Sequence, residues 1–393
     1  MENEMVRTMK KQIKRSLAAG LCLAMLLSGG GMLLAADAGT QDTVVKTYTL
    51  EEIRTLSGIH ATSVLTQKAD NKITDANEFS AEMDYYDALY LAGIVGAPGS
   101  ESMLEAARMA YDNAIENSQS AKDALAEVQQ QAEYDGESRY FAYLEMEDSL
   151  VQLQKTLALQ EELLRIEKVK LGLGMTTQMA ADKVALQVSE LKTSLANLQN
   201  AKILAGFELM NQIGQPENTP FILAELTEYP IQNEMFAYDT LSATAYESSL
   251  TLKQLNRAIE DLEEDIDEGN LFAAQKDQLA AQEDKLRLSR TQFSYTLKVL
   301  AQNGINELAL SGENLAYLKG KAVLAQTSVT QNQIMIQLGA AAPYTALSSG
   351  LELVTAQNNY EKALHERYLT LRRLNLLQQG VVASASNSAG SGA

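Results

Sequence analysis

The chain has no tryptophan, one cysteine, two histidines and five prolines in 393 residues, and only 6% of it is aromatic. Each shortage excludes something. The lone Cys22 lies in an N-terminal apolar run, so no disulfide or thiol chemistry is expected of the exported protein. His60 and His365 stand far apart in sequence with no cysteine beside them, which leaves neither a metal cluster nor a nucleophile and base pair. Met109, Met146, Met175, Met179 and Met210 are scattered like packing fillers rather than grouped as a copper site, and no glycine loop is built to cradle phosphate. An enzyme, a cofactor and a bound metal are therefore not expected. β-Branched residues are sparse and nowhere alternate with polar ones for long, so a sheet is not expected either. Pro98, Pro216, Pro220, Pro230 and Pro343 all fall between helical patterns, as they must if the helices have no interior breaker.

Basic residues are also scarce. The net charge is −19 and becomes about −21 without the first 38 residues, which argues against nucleic acid or anionic lipid as a partner. Glu260 to Glu268 holds seven acids in nine residues. It lacks the glycine-kinked ligand spacing of a calcium loop and reads as a solvated helix face.

What is present begins with an export signal. Lys10, Lys11, Lys14 and Arg15 precede the apolar run Leu17 to Leu27, and Ala36-Asp37-Ala38 supplies a small-residue cleavage site. A mature chain starting near Gly39 is expected, with an uncleaved anchor over Leu17 to Ala36 as the alternative. Leu21 before Cys22 speaks against lipid attachment at that cysteine.

Seven-residue ladders then dominate. Leu150, Leu157, Leu164 and Leu171 form one; Val184, Leu191, Leu198 and Ala205 form another, flanked by Val188, Leu195, Lys202 and Leu209. Between them lies Gly172-Leu173-Gly174-Met175-Thr176-Thr177, where a left-handed glycine ends one helix and a threonine caps the next. The unit is an antiparallel helical hairpin. Upstream, Thr49-Leu50-Glu51-Glu52 is a capping box that opens a helix running to about Ala88. Leu89 to Gly99 breaks it, and Ser100 caps a helix of roughly 70 residues that weakens at Tyr134-Asp135-Gly136.

The same order returns after the crossing. Asp239 caps a helix to Glu268, Gly269-Asn270 breaks it, and a long helix follows to Leu338 with interruptions at Asn303-Gly304 and Ser311-Gly312. A second tip runs from Gly339 through Pro343 to Gly350, where Ser349-Gly350-Leu351-Glu352 offers another capping box. The expected fold is all-α, two tandem repeats of long coiled-coil hairpins. The segments are 1–38 (signal), 39–214 (first repeat), 215–236 (proline-rich linker), 237–380 (second repeat) and 381–393 (a structureless tail).

Taken in order and in duplicate, these motifs resemble the TolC family of outer-membrane efflux proteins over nearly the whole mature chain. The residues that carry the resemblance are Tyr48 to Glu52, the turn Gly174 to Thr177, Leu209 to Gly214 and the stretch Thr355 to Ala363. It implies a homotrimeric conduit for efflux or secretion in the cell envelope, without chemistry of its own. Its partners would be a membrane-fusion adaptor and an inner-membrane pump, with the tips (Gly172, Gly174, Met175, Thr176, Thr177, Gly339, Pro343, Ser349 and Gly350) facing the adaptor. The chain departs from the family twice. The breaks at Leu89 to Gly99 and Gly269-Asn270 are too short for the family's barrel strands, so little or no β-barrel is expected. The second tip is about a heptad longer than the family spacing, so no gating residue carries over to it. A coiled-coil scaffold of the envelope that is not a channel is the alternative function.

Overall fold

The computed structural model describes residues 45–93, 100–224, 226, 236–268 and 272–383. Residues 1–44, where the export signal is expected, 94–99, 269–271, part of the crossing between repeats and the residues from 384 onward lie outside these; the helix expected to break at Leu89 runs on to Ala92.

Strand β1 (Lys46–Tyr48) leads into α1 (Leu50–His60) and α2 (Thr62–Ala92). The long α3 (Ser100–Gly172) and α4 (Gln178–Gln212) form the first hairpin. Strand β2 (Phe221–Leu223) follows, then α5 (Tyr238–Ser248), α6 (Leu250–Glu268), α7 (Ala273–Gln337) and α8 (Tyr344–Gln378). At 1.5 Å per residue, the 73-residue α3 is about 110 Å long and the 65-residue α7 about 100 Å. Both run the length of the molecule. Towards one end α3 pairs with α4 and α7 with α8, and towards the other α3 pairs with α2 and α7 with α6.

The repeats correspond closely. α1 and α5 have 11 residues each, and α4 and α8 have 35 each. The four glycines with left-handed backbone, Gly174, Gly214, Gly339 and Gly380, follow the helices α3, α4, α7 and α8. Each closes its helix with the same pair of bonds, as at Gly214, where the Gly214 N–H donates to Asn211 O and the Gln215 N–H to Met210 O.

The capping box stands as the sequence predicts. Thr49 Oγ1 accepts from Glu52 N–H at 3.2 Å, and Glu52 Oε2 accepts from Thr49 N–H at 2.9 Å. Several expectations need correction. The helix from Leu50 breaks at Ala61 (φ −55, ψ 141), and that from Tyr238 breaks at Ser249 (φ −61, ψ 121). Neither site holds a glycine or proline. The kink at Ala61 comes from tertiary packing: Ala61 and Val64 are buried against Ala132, while Ile53 sits in a different cluster with Tyr140 and Phe141. Asp239 is not the cap, since Ala237 holds that position and Asp239 lies in the first turn, where its charge suits the helix dipole. The long helices are not interrupted at Gly136, Gly304 or Gly312. Gly136 and Gly304 are instead places of close approach, where a Cβ would come within 2.1 Å of Ser57 Oγ and 2.5 Å of Leu374 Cδ2.

A small sheet does form. β1 pairs in parallel with β2, Lys46 with Phe221 through Tyr48 with Leu223, so part of the crossing is strand rather than free linker. No other strand lies among the described residues. Seven residues separate α2 from α3 and four separate α6 from α7, against roughly 20 for a pair of membrane-spanning strands. No described helix is long and apolar enough to cross a membrane.

The densest core girdles the middle. Tyr48, Ile53, Tyr140, Phe141, Leu209, Met210 and Ile213 are fully buried there beside Tyr368, and Phe141 meets Tyr140 and Tyr368 edge-on with centroids 5.6 and 5.3 Å apart. The Tyr140 hydroxyl donates to Ala224 O, and burial pushes its pKa up to about 12. The segment after α8 belongs to this girdle. Val381 and Ala383 are buried in a cluster with Tyr134 and Leu376, so residues 381–383 are not part of a structureless tail.

Gly136→Ala should cost about 1–3 kcal/mol, because Ser57 Cβ, 2.7 Å from the new methyl, is fixed by the backbone of α1. Gly320→Ala, in open space on α7, should gain up to about 1 kcal/mol. Urea unfolding of both variants checks this, and a Gly136→Ala protein as stable as the parent would show that the close approach is not a constraint.

Candidate functional site: hairpin tips, inter-repeat seam and open edges

The first tip is a tight turn. Gly172 is the last residue of α3, and Gly174 takes φ +70 with its N–H donating to Leu171 O at 3.0 Å and the Met175 N–H to Lys170 O at 2.8 Å. Thr177 caps α4, its hydroxyl accepting from Ala180 N–H at 3.3 Å. Lys170 Nζ, 2.6 Å from Glu167 Oε1, holds that carboxyl below its ordinary range with help from the Thr176 hydroxyl. Thr176 is therefore committed to the turn. The side chains of Leu173, Met175 and Met179 are not, at 70, 72 and 79% exposed.

The second tip is shorter than the sequence suggests. α7 ends at Gln337, Gly339 turns with φ +69, and α8 starts at Tyr344 directly after Pro343. Ser349 and Gly350 lie inside α8 and not in the tip. Buried Ser349 bonds back to Thr345 O at 2.9 Å, so the Ser-x-x-Glu pattern there is no capping box. The two tips close their first helices with the same pair of glycine-turn bonds but open the second differently, with the Thr177 side chain capping α4 and Pro343 preceding α8 without a side-chain cap; the extra heptad is the first two turns of α8.

Between the repeats, α3 meets α8 along a polar seam. Gln152 Nε2 donates to Thr355 Oγ1 at 3.0 Å, Asn358 Nδ2 donates to Asp148 O at 2.9 Å, and His365 Nδ1 lies 3.2 Å from Glu145 Oε1. Further along the seam lies Glu137, which has no exposed surface, and one turn beyond it Glu133 pairs with Arg372 at 3.6 Å. The Glu137 carboxylate accepts from Tyr368 OH at 2.8 Å and Arg372 Nε at 3.0 Å, with Arg54 NH1 at 3.8 Å. Burial pushes the Glu137 carboxyl up, and Arg372, Tyr368 and Arg54 act against that. Burial also opposes charge on Arg372, but Glu137 outweighs it and raises the guanidinium further. Such fixed pairs set register more than they add stability.

The seam is absent from the candidate site residues picked out by sequence, although Thr355 and Asn358 lie in the stretch that carries the family resemblance. It does have a sequence signal: Asn358, His365 and Arg372 recur every seven residues, as do Glu145 and Gln152, a polar ladder beside the leucine ladders.

At the tip end the four helices form a layer in the order α4, α3, α8, α7. Its two outermost helices carry exposed apolar residues. On α7 these are Leu310, Tyr317 and Leu324, with Leu338 just past its end, at multiples of seven, and on α4 they are Met179, Leu186, Ile203 and Leu204.

No family model and no curated protein matches the sequence. Solved structures do match. A membrane protein from Pseudomonas aeruginosa aligns with TM-score 0.60 at 10% identity over 88% of this chain and 99% of its own. The outer-membrane channel OprN gives 0.59 at 12% over 85% and 91%. The open-state MtrE outer-membrane channel of Neisseria gonorrhoeae gives 0.55 at 13% over 85% and 90%.

Glu137→Ala should cost about 2–4 kcal/mol, because it strands Arg372 and Tyr368 around an empty acceptor site, whereas Glu137→Gln keeps an acceptor and should cost about half as much. Thermal and urea unfolding compare them, and equal, small losses would show that the cluster does not stabilise the fold.

A likeness at this identity establishes architecture, and the architecture is plain: the chain has the TolC-like α-helical fold of outer-membrane channel protomers.

Proposed function

We propose that the chain is the protomer of an exported, TolC-like conduit of the cell envelope, assembled from three copies and working with a membrane-fusion adaptor and an inner-membrane pump. The observation that carries this reading is the pair of open edges. A layer of four helices cannot cover its own first and last members, and both of these, α4 and α7, leave large apolar side chains in water. Setting α7 of one copy beside α4 of the next covers both stripes and repeats without a free end, which is the geometry of a closed ring. With neighbouring helices about 9 Å apart, three copies close twelve helices into a ring about 35 Å across between axes. That leaves a bore wide enough for solutes. The chain conducts and performs no reaction.

The N-terminal segment directs export, with cleavage after Ala38, and the tips form the end that meets the adaptor. Leu173 and Met175 support this last assignment, since their side chains are apolar, exposed and take no part in the turn's hydrogen bonds.

The edges are tested by Tyr317→Glu with Leu324→Glu on α7. The parent should run as a trimer by light scattering and the variant as a monomer of unchanged helicity by circular dichroism. A monomeric parent, or a variant that still assembles, would overturn the ring.

The tip is tested by Met175→Glu, which leaves Gly174, Thr176 and Thr177 in place. Co-purification with the adaptor should fall at least tenfold while the thermal midpoint stays within about 1 °C. Undiminished binding would reduce the tip to a backbone turn.

A further inference from the structure

The sulfur of this chain is distributed unevenly. Cys22 is its one thiol, so all other sulfur is methionine thioether. Of the eight methionines among the described residues, Met210 is fully buried in the girdle and Met146 is half-buried on α3. The other six are exposed and stand at the two ends of the long hairpins, Met83, Met103 and Met109 at one, Met175, Met179 and Met335 at the other. Met179 and Met175 lead them at 79 and 72% exposed, against 58% for Met109 and 44% for Met335. Packing filler describes Met210, therefore, but not the pair at the first tip.

Nothing in the fold asks for methionine at these two positions. Backbone bonds at Gly174 and Met175 make the turn, and the Thr177 hydroxyl caps α4. The polar neighbours are engaged with one another, Lys170 with Glu167 at 2.6 Å and Gln178 with Asp182 at 2.8 Å, and leave both thioethers uncovered. Leucine would fill nearly the same volume and show water the same apolar surface. The second repeat builds its tip without them: setting Gly174 against Gly339 places Met175 opposite Ala340 and Met179 opposite Tyr344. What a thioether has and a leucine lacks is a sulfur lone pair open to oxidants.

We propose that Met175 and Met179 are an oxidation site that switches docking by the first tip off. Hydrogen peroxide supplies the oxygen. The thioether sulfur attacks one peroxide oxygen, the S–O bond forms as the O–O bond breaks, the sulfur loses two electrons and the peroxide is reduced to water. A polar sulfoxide then stands in place of each apolar side chain, on a tip where Leu173 is the other large apolar group in water. A thiol-dependent sulfoxide reductase reverses the step, the oxygen leaving as water while two thiols become a disulfide. Neither side chain is packed inside, so the hairpin keeps its fold in both states. The place of oxidation follows from exposure alone; its effect on docking rests on the reading that the tip meets the adaptor.

Hydrogen peroxide is the probe. In the full mature chain, peptide mass mapping over a time course should show Met175 and Met179 converting at least tenfold faster than Met210, at unchanged helicity. Binding of the oxidised protein to the purified adaptor should fall at least tenfold and return after treatment with a methionine sulfoxide reductase and dithiothreitol. Met175→Leu with Met179→Leu should bind like the parent and keep that binding after peroxide, although Met103, Met109 and Met335 are still converted. Tip methionines that oxidise no faster than Met210, an oxidised parent that binds undiminished, or a leucine variant that loses binding on oxidation as the parent does would each overturn the proposal. Met175→Glu separates the two readings. Undiminished binding by that variant removes the docking tip and the switch with it, whereas lost binding there beside undiminished binding by the sulfoxide form removes the switch alone.

Discussion

A helix of 73 residues is a lever about 110 Å long, and a small error in its direction at the middle becomes a large one at its ends. Everything else here depends on clamping α3 and α7 at mid-length. The clamp has two parts of different character. The aromatic cluster of Tyr48, Tyr140, Phe141 and Tyr368 supplies non-directional burial on one side of α3. Glu137, one turn away, supplies direction, because it accepts Tyr368 and Arg372 from α8 and is neared by Arg54 from α1. Burial alone would tolerate a slip of α8 along α3. The buried carboxylate does not, since a slip of one turn would leave it without its guanidinium partner. Gly136 lets α1 come close enough to join this clamp, and Gly304 does the same for Leu374 on α8.

Such a clamp explains how the architecture can be kept when identity to the three solved structures named above is only 10 to 13%. A hairpin asks its sequence for an apolar residue at certain intervals, a left-handed residue at the turn, and small residues where backbones nearly touch. Many sequences meet these terms. The β1–β2 pair is an example of economy in the same spirit, three residues on each side that tie the start of the first repeat to the crossing into the second.

Whatever is local is legible in the sequence. Gly174, Gly214 and Gly339 end helices because each follows a ladder and can take positive φ, and the Thr49 box is decided within four residues. Features that depend on distant partners are not legible. Ala61 is an ordinary residue, and the chain bends there because α1 is held by the girdle while Val64 of α2 packs on Ala132 of α3; at Ser249 the cause is local, since its hydroxyl caps α6 by accepting from Leu252 N–H. Gly136 and Gly304 look like weak points in sequence because a glycine inside a helix can mean a break or a contact, and only Ser57 and Leu374 say which. Ser349 misleads for the opposite reason: a Ser-x-x-Glu pattern inside a helix satisfies its hydroxyl by bonding back one turn. The seam at Asn358, His365 and Arg372 is visible as a heptad, but a search for apolar ladders alone passes over it.

The two halves of the molecule are consequently unequal in strength. At mid-length, tightly packed aromatic side chains remove large areas from water. Along α2 and the first part of α3, the buried residues are Val64, Asn71, Ala88 and Ser118, with Tyr85 stacked on Tyr111 between the helices; together they remove less than the girdle does, and Ser118 and Asp75 bond near solvent. The seven residues between α2 and α3 are too few for a pair of membrane-spanning strands. Local opening free energy follows buried apolar area, so this hairpin end is held less strongly than the girdle. Any apolar surface laid against Phe79, Met83, Tyr86 and Tyr90 adds burial where the chain has least of its own. The stabilisation such contact brings is therefore local, tightening α2 against α3 without altering the clamp that aligns the long helices.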